Sequence, residues 1–233
     1  SDNNPSSGKK KGYKTKGVFK EQFLDNEIES KSKHFDDFWN CDDYQLNKVF
    51  QEILSLYKTH NKRELFSKLK NKEDELRDKW LNKVLHALGW EYEVEAVLSS
   101  GTSTRADYLL YKDERSYDKA IDGDMDRKRS YATSVLEAKA FDVDLDSNND
   151  QSPSKQIIKY LDQTRKDWGV LSNGRTWRLF YRYSKQAHKR YYEVDLFRIL
   201  DTEDMYRFKY FYNFFRRDAF LKNQVSKQCF LDF

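Results

Sequence analysis

The chain has 233 residues, 43 Lys and Arg against 39 Asp and Glu, and a formal net charge of +4. That length is enough for one large domain with its own core. With 16 Phe, 16 Tyr and 5 Trp, wholesale disorder is excluded despite a mean hydropathy of −1.00. No apolar run reaches the roughly 18 residues of a spanning helix and no signal-peptide apolar stretch opens the chain, so a soluble, cytoplasmic protein with no membrane partner is expected. Cys41 and Cys229 lie far apart without neighbouring Cys, which argues against a disulfide framework or a Cys-based zinc site. The weakly basic balance permits nucleic-acid binding without requiring it.

Residues 1–17 are polar and carry Gly and Pro without periodicity, which predicts a flexible tail. Leu46, Val49, Phe50, Ile53, Leu54 and Tyr57 recur at helical spacing, as do Leu76, Trp80, Leu81, Val84, Leu85 and Leu88. The second helix is expected to start at Asn71 as N-cap and to stop at Gly89. From Trp90 to Leu98 the period changes to two, the mark of a half-buried strand. Tyr108–Tyr111 and Ser134–Ala140 read as two more strands, separated by a long polar excursion, Lys112–Ser130. Ser152-Pro153 supplies a cap and a first-turn proline for a helix through Ile157, Ile158 and Leu161. Asn173-Gly174 joins two apolar runs as a hairpin, Tyr191–Leu196 adds a strand, and Phe208, Phe211, Tyr212 and Phe215 form an aromatic helical stripe, read as core or as an interface with further domains rather than as a base-stacking surface. The fold class is therefore α/β, with a mixed central sheet flanked by helices on both faces.

Glu137 and Lys139 stand two apart in an otherwise apolar strand, so a carboxylate and an ammonium leave the same face. Asp107 opens the preceding strand, and pairing of the two strands would bring its carboxylate toward Glu137. Two carboxylates with waters suit Mg²⁺, which prefers hard oxygen ligands. The triplet Glu-x-Lys is common in a chain this charged, and Glu29-Ser30-Lys31 is another. On these residues alone a sheet-stabilising ion pair and a metal site both remain open.

The segments DYLLY, VLEAKAF, QIIKY and WGVLSNGRTWRLFYR together resemble the nuclease domain of the PD-(D/E)XK superfamily. The nearest form is that at the N-terminus of type IIG restriction-modification enzymes and of type I restriction motor subunits. EDELRDKWLNKVLHALGW resembles the family's first helix. The likeness covers about residues 70–185 and implies a restriction-endonuclease-like core over 71–200. That core would be preceded by an N-terminal helical segment, 18–70, and followed by an aromatic C-terminal helical segment, 201–233, continuing into further domains. It implies Asp107, Glu137 and Lys139 as catalytic, Glu73 as an auxiliary acid, and Gln156 and Tyr160 as the Gln-x-x-x-Tyr element beside the cleavage centre. Asp107 and Glu137 would hold Mg²⁺, with Mn²⁺ as a substitute.

The implied activity is Mg²⁺-dependent endonuclease cleavage of double-stranded DNA in bacterial restriction-modification or phage defence. Methyltransferase, target-recognition or motor domains would be partners, since this sequence carries no methyltransferase motif and no Walker loop. A non-catalytic nucleic-acid-binding or assembly module keeping the fold is the other reading. The sequence departs from the family pattern in having Ala106 before Asp107 where proline is usual, and in its long acidic insert.

Three further signals weigh less. The alternating acids Asp122, Asp124 and Asp126, and Asp142, Asp144, Asp146 and Asn148, lack the Gly and Glu of a calcium loop and read as solvated acidic loops. His34, His60, His86 and His188 show no metal spacing. Arg178, Arg182, Lys185, His188, Lys189 and Arg190 form a basic stretch able to contact phosphates or simply to lie in solvent.

Overall fold

Alternation in the strand segments sends successive side chains to opposite faces. The computed structural model, which describes residues 12–25, 43–98, 105–147, 152–222 and 229–232, assembles these segments into one sheet. Its elements are β1 (Lys14–Lys16), α1 (Glu21–Phe23), α2 (Asp43–Lys62), α3 (Leu65–Lys68), α4 (Glu73–Leu76), a π-helical turn (Arg77–Leu81), α5 (Asn82–Ala87), β2 (Glu91–Val97) and β3 (Arg105–Tyr111). There follow α6 (Glu114–Ile121), α7 (Met125–Tyr131), β4 (Ser134–Ala138), α8 (Pro153–Thr164), β5 (Trp168–Ser172), β6 (Thr176–Tyr181), β7 (Tyr191–Asp195), α9 (Leu196–Asp201) and α10 (Met205–Phe215). The seven strands run in the order β1-β7-β6-β5-β4-β3-β2. Among the described strands only the central β4–β5 pair is parallel, because α8 carries the chain back over the sheet between them.

Both faces are covered. Leu136, Val170, Leu179 and Tyr192 point into a large core with Leu46, Ile53, Trp80, Leu85, Phe208 and Phe211. Their neighbours Val135, Leu171 and Phe180 point the other way, against Ile157 and Leu161 of α8. Gly169 lets α8 approach that closely: a Cβ there would stand 2.8 Å from a Leu161 methyl and 3.1 Å from an Ile157 methyl. Ser152 caps α8 by accepting from Lys155 N–H at 3.3 Å, with Pro153 in the first turn. The aromatic stripe of α10 lies in the same core as the sheet. Cys229 is a buried free thiol, and Cys41 lies outside the described residues. No helix of the described residues is long and apolar enough to cross a membrane.

Four local expectations need correction. Lys14–Lys16, inside the stretch read as a tail, forms an edge strand on β7, anchored by buried Tyr13. Asn71 is no N-cap: it takes a left-handed backbone (φ 57°) and its N–H donates to Asp142 Oδ1 at 3.0 Å. The polar excursion between β3 and β4 is a helical pair, α6 and α7, whose ends are fixed by Asp113 and Asp124 accepting from Ser116 and Arg127 N–H.

The fourth concerns β2, whose alternation breaks in mid-strand. Trp90 and Tyr92 face one core, Ala96 and Leu98 the other, and Val94 is 48% exposed. The cause is Glu95, at φ 54°, a left-handed residue inside a strand that costs about 1–3 kcal/mol.

Candidate active site

β3 and β4 are antiparallel, with Tyr108 opposite Leu136. One residue further along each strand come Asp107 and Glu137, at the same end of the sheet. The ladder stops there: Ala138 N–H donates to Asp107 Oδ2 at 2.8 Å. β4 instead continues along β5, Lys139 N–H donating to Ser172 O at 2.9 Å. The Asp107 carboxylate thus sits where β3 and β4 part.

Asp107 and Glu137 are within hydrogen-bonding reach of each other. Glu137 is 4% exposed, its Oε1 lies 3.1 Å from Lys139 Nζ, and among the described residues no N–H or hydroxyl donates to its buried Oε2. Two carboxyls this close, out of water, do not ionise together without cost. Burial first, then the Asp107 charge, raises Glu137 far above the usual carboxylate range, with Lys139 opposing. Asp107 is also raised by burial, against the pull of the Ala138 N–H and Arg77.

Glu73, the first residue of α4, faces the same group, raised by burial and then by Asp107 while Lys139 and Arg77 oppose. Tyr160 on α8 is buried, and its phenol is raised by burial and by the charges of Glu137, Asp107 and Glu73. Gln156, one turn earlier, has its Oε1 buried with no donor. Five of the six residues singled out in the sequence therefore share one electrostatic neighbourhood, and Gln156 lies on the adjoining turn of α8.

Sequence reasoning missed Arg77. From the π-helical turn it reaches Asp107 Oδ1 at 3.3 Å and Glu95 Oε1 at 3.5 Å and pairs with Asp74, while being 8% exposed. Its i+4 spacing from Glu73 was the available signal. The basic stretch at the end of β6 is corrected in part. Arg178 is buried against Glu193 at 2.7 Å and Asp146 at 2.9 Å, over the Tyr191 ring at 4.0 Å. Arg182 pairs with Asp162 at 3.1 Å.

The raised Glu137 makes a signed prediction. A carboxyl whose folded value lies above its unfolded one contributes stability fully present below the unfolded value and lost as pH rises through the folded one. In EDTA, the Tm of the wild type should therefore fall relative to Glu137→Gln between pH 5 and pH 8, the variant being the more stable at pH 8 by a few degrees. Parallel Tm curves would show that Glu137 carries no such burden.

Among the described residues no group of three or more His, Cys, Asp and Glu side chains is spaced to hold a metal. The donor set offered here is two carboxylates, a number Mg²⁺ accepts because it keeps several waters. The chain matches no protein-family model, no curated protein and no solved structure.

Proposed function

We propose that the chain is a Mg²⁺-dependent DNA endonuclease domain with a restriction-endonuclease-like fold, serving a restriction or related phage-defence enzyme. The observation that carries this reading is the buried Asp107–Glu137 carboxyl pair, the two groups within hydrogen-bonding reach of each other and Lys139 alongside. Burying such charges is costly unless a cation is held between them.

Asp107 and Glu137 would hold the metal, and their paired hard oxygen donors fit it. When bound, it would polarise the scissile phosphate and acidify a water. Glu137 would have to give up its proton to serve as a ligand, so metal affinity would rise with pH. Lys139 is placed to orient the attacking water or to neutralise charge on the phosphate oxygens. Arg77 holds Asp107 in its rotamer, and Glu73 and Tyr160 border the space in front of the pair. Double-stranded DNA is the substrate, and sequence recognition belongs to other domains of the same polypeptide or complex.

The test is single-turnover nicking of supercoiled plasmid, with the chain in excess and Mg²⁺, Mn²⁺ or EDTA present. Conversion to open circles with either metal and none in EDTA is expected. Identical profiles in all three would overturn the proposal.

One observation favours the non-catalytic module instead: both Asp107 oxygens already accept, one from Arg77 and one from Ala138 N–H. A carboxylate oxygen takes two partners, so this contact leaves room for a metal, and nicking decides between the two.

A further inference from the structure

At the opposite end of the same strands lies a second site. A cleft of about 340 Å³ opens where β3 ends, β4 and β5 begin and the C-terminal segment crosses. Lys112, Arg165, Lys166 and Lys222 line it, and among the described residues none of the four forms an ion pair. Among the described residues the lining holds two carboxylates. Asp232 is already engaged, accepting from Trp168 Nε1 at 3.2 Å and from Cys229 N–H at 2.9 Å. Two negative charges, Asp167 and Asp232, thus stand against four cations. Thr133, just before β4, also lines the cleft.

Lysines and arginines often gather at a helix C-terminus, where the dipole favours them. That explanation covers Arg165 and Lys166, which follow α8 directly. Lys112 comes from the end of β3 and Lys222 from beyond the last aromatic helix, so neither is accounted for by it. Lys166 is set inside the cleft, where burial lowers its ammonium, the Asp167 charge opposes this and the Lys222 charge adds to it. Cations gathered from three separate elements, with no ion pair among the described residues, repel one another, and an anion between them relieves the repulsion.

We propose that this cleft binds a phosphate group. Several cations approaching from different directions match a multiply charged oxyanion with three or more acceptor oxygens better than a planar carboxylate. The volume sits at the small end of the range for small-ligand sites, roughly 300–1,000 Å³, which suits a phosphate ester of mononucleotide size. Thr133 and Glu137 are separated by about 13 Å of extended strand, so the site is distinct from the carboxylate pair and does not depend on the nuclease reading. The phosphate could be a free ester or part of a DNA backbone, and the experiment separates the two.

Binding of inorganic phosphate and of pyrophosphate is measured by calorimetry at constant ionic strength, for the wild type and for the Lys166→Met, Lys222→Ala double variant. Saturable binding by the wild type, weakened at least fivefold in the double variant, is expected. Equal affinity in both proteins, or no saturable binding of either anion to the wild type, would overturn the proposal. Lys166→Met removes a partly buried charge, so its Tm in phosphate-free buffer should not fall, and Lys112→Ala, at an exposed position, gives a second variant for the same comparison. Anisotropy of a labelled 20-base-pair duplex assigns the source. A parallel loss of duplex affinity, with competition by phosphate, identifies the DNA backbone, and unchanged duplex affinity identifies a free phosphoester.

Discussion

Glu137→Gln and Lys139→Ala are each expected to lower Mg²⁺-dependent nicking by about 10²–10⁴-fold, with duplex affinity within threefold of wild type. Glutamine keeps the volume of Glu137 and removes one of its acceptor oxygens and its charge, so on the proposed reading the pair would no longer hold a dication. Alanine at 139 removes the ammonium that lies 3.1 Å from Glu137 Oε1 and faces the space where the phosphate would react. Neither change touches the distributed backbone contacts that dominate affinity for DNA. Cleavage is read under single-turnover conditions and binding by anisotropy in Ca²⁺. Equal losses of binding and cleavage would mean that the pair only stabilises the sheet.

Trp80→Ala should be the most damaging single change to the fold, destabilising it by about 3–5 kcal/mol. Trp80 is fully buried, packs edge-on against Phe66 and Phe197 at centroid distances of 5.3 and 5.8 Å, and donates from Nε1 to Gly174 O at 2.8 Å. Alanine therefore opens a cavity and strips the hairpin turn of a buried hydrogen bond, which costs about 1–3 kcal/mol by itself. Domains of this kind hold only about 5–15 kcal/mol in all. Trp80 and Arg77 share one π-helical turn, so loosening the indole also loosens the guanidinium on Asp107. Urea denaturation checks this: a loss below about 1 kcal/mol would show that the turn is anchored elsewhere, and Trp80→Phe should lose mainly the hydrogen-bond contribution.

What could be read from residues alone follows the strength of local signals. Long apolar stripes placed α2 and α10, the Ser-Pro cap placed α8, and Asn173-Gly174 placed the turn between β5 and β6, because each element carries its own signal. β1 is three residues of Lys and Thr and becomes a strand only because β7 offers an edge. α6 and α7 bury little apolar surface, and their signal was the capping aspartates, visible but read as acidic loop. No sequence pattern announces a left-handed Glu95. At the site, the two-residue spacing of Glu137 and Lys139 was enough to place them together, and strand pairing brought in Asp107. Arg77 was hidden because its partners come from a helix and two strands, and their meeting depends on how the helix seats on the sheet.

The most direct measurement is Mn²⁺ binding followed by electron paramagnetic resonance, for wild type, Asp107→Asn and Glu137→Gln, at pH 6 and pH 8.5. A divalent centre at Asp107 and Glu137 requires one tight Mn²⁺ per chain at pH 8.5, weaker binding at pH 6 because Glu137 must first lose its proton, and loss of at least tenfold in affinity in each variant. Absence of stoichiometric Mn²⁺ at pH 8.5, or binding that neither substitution weakens, would contradict it.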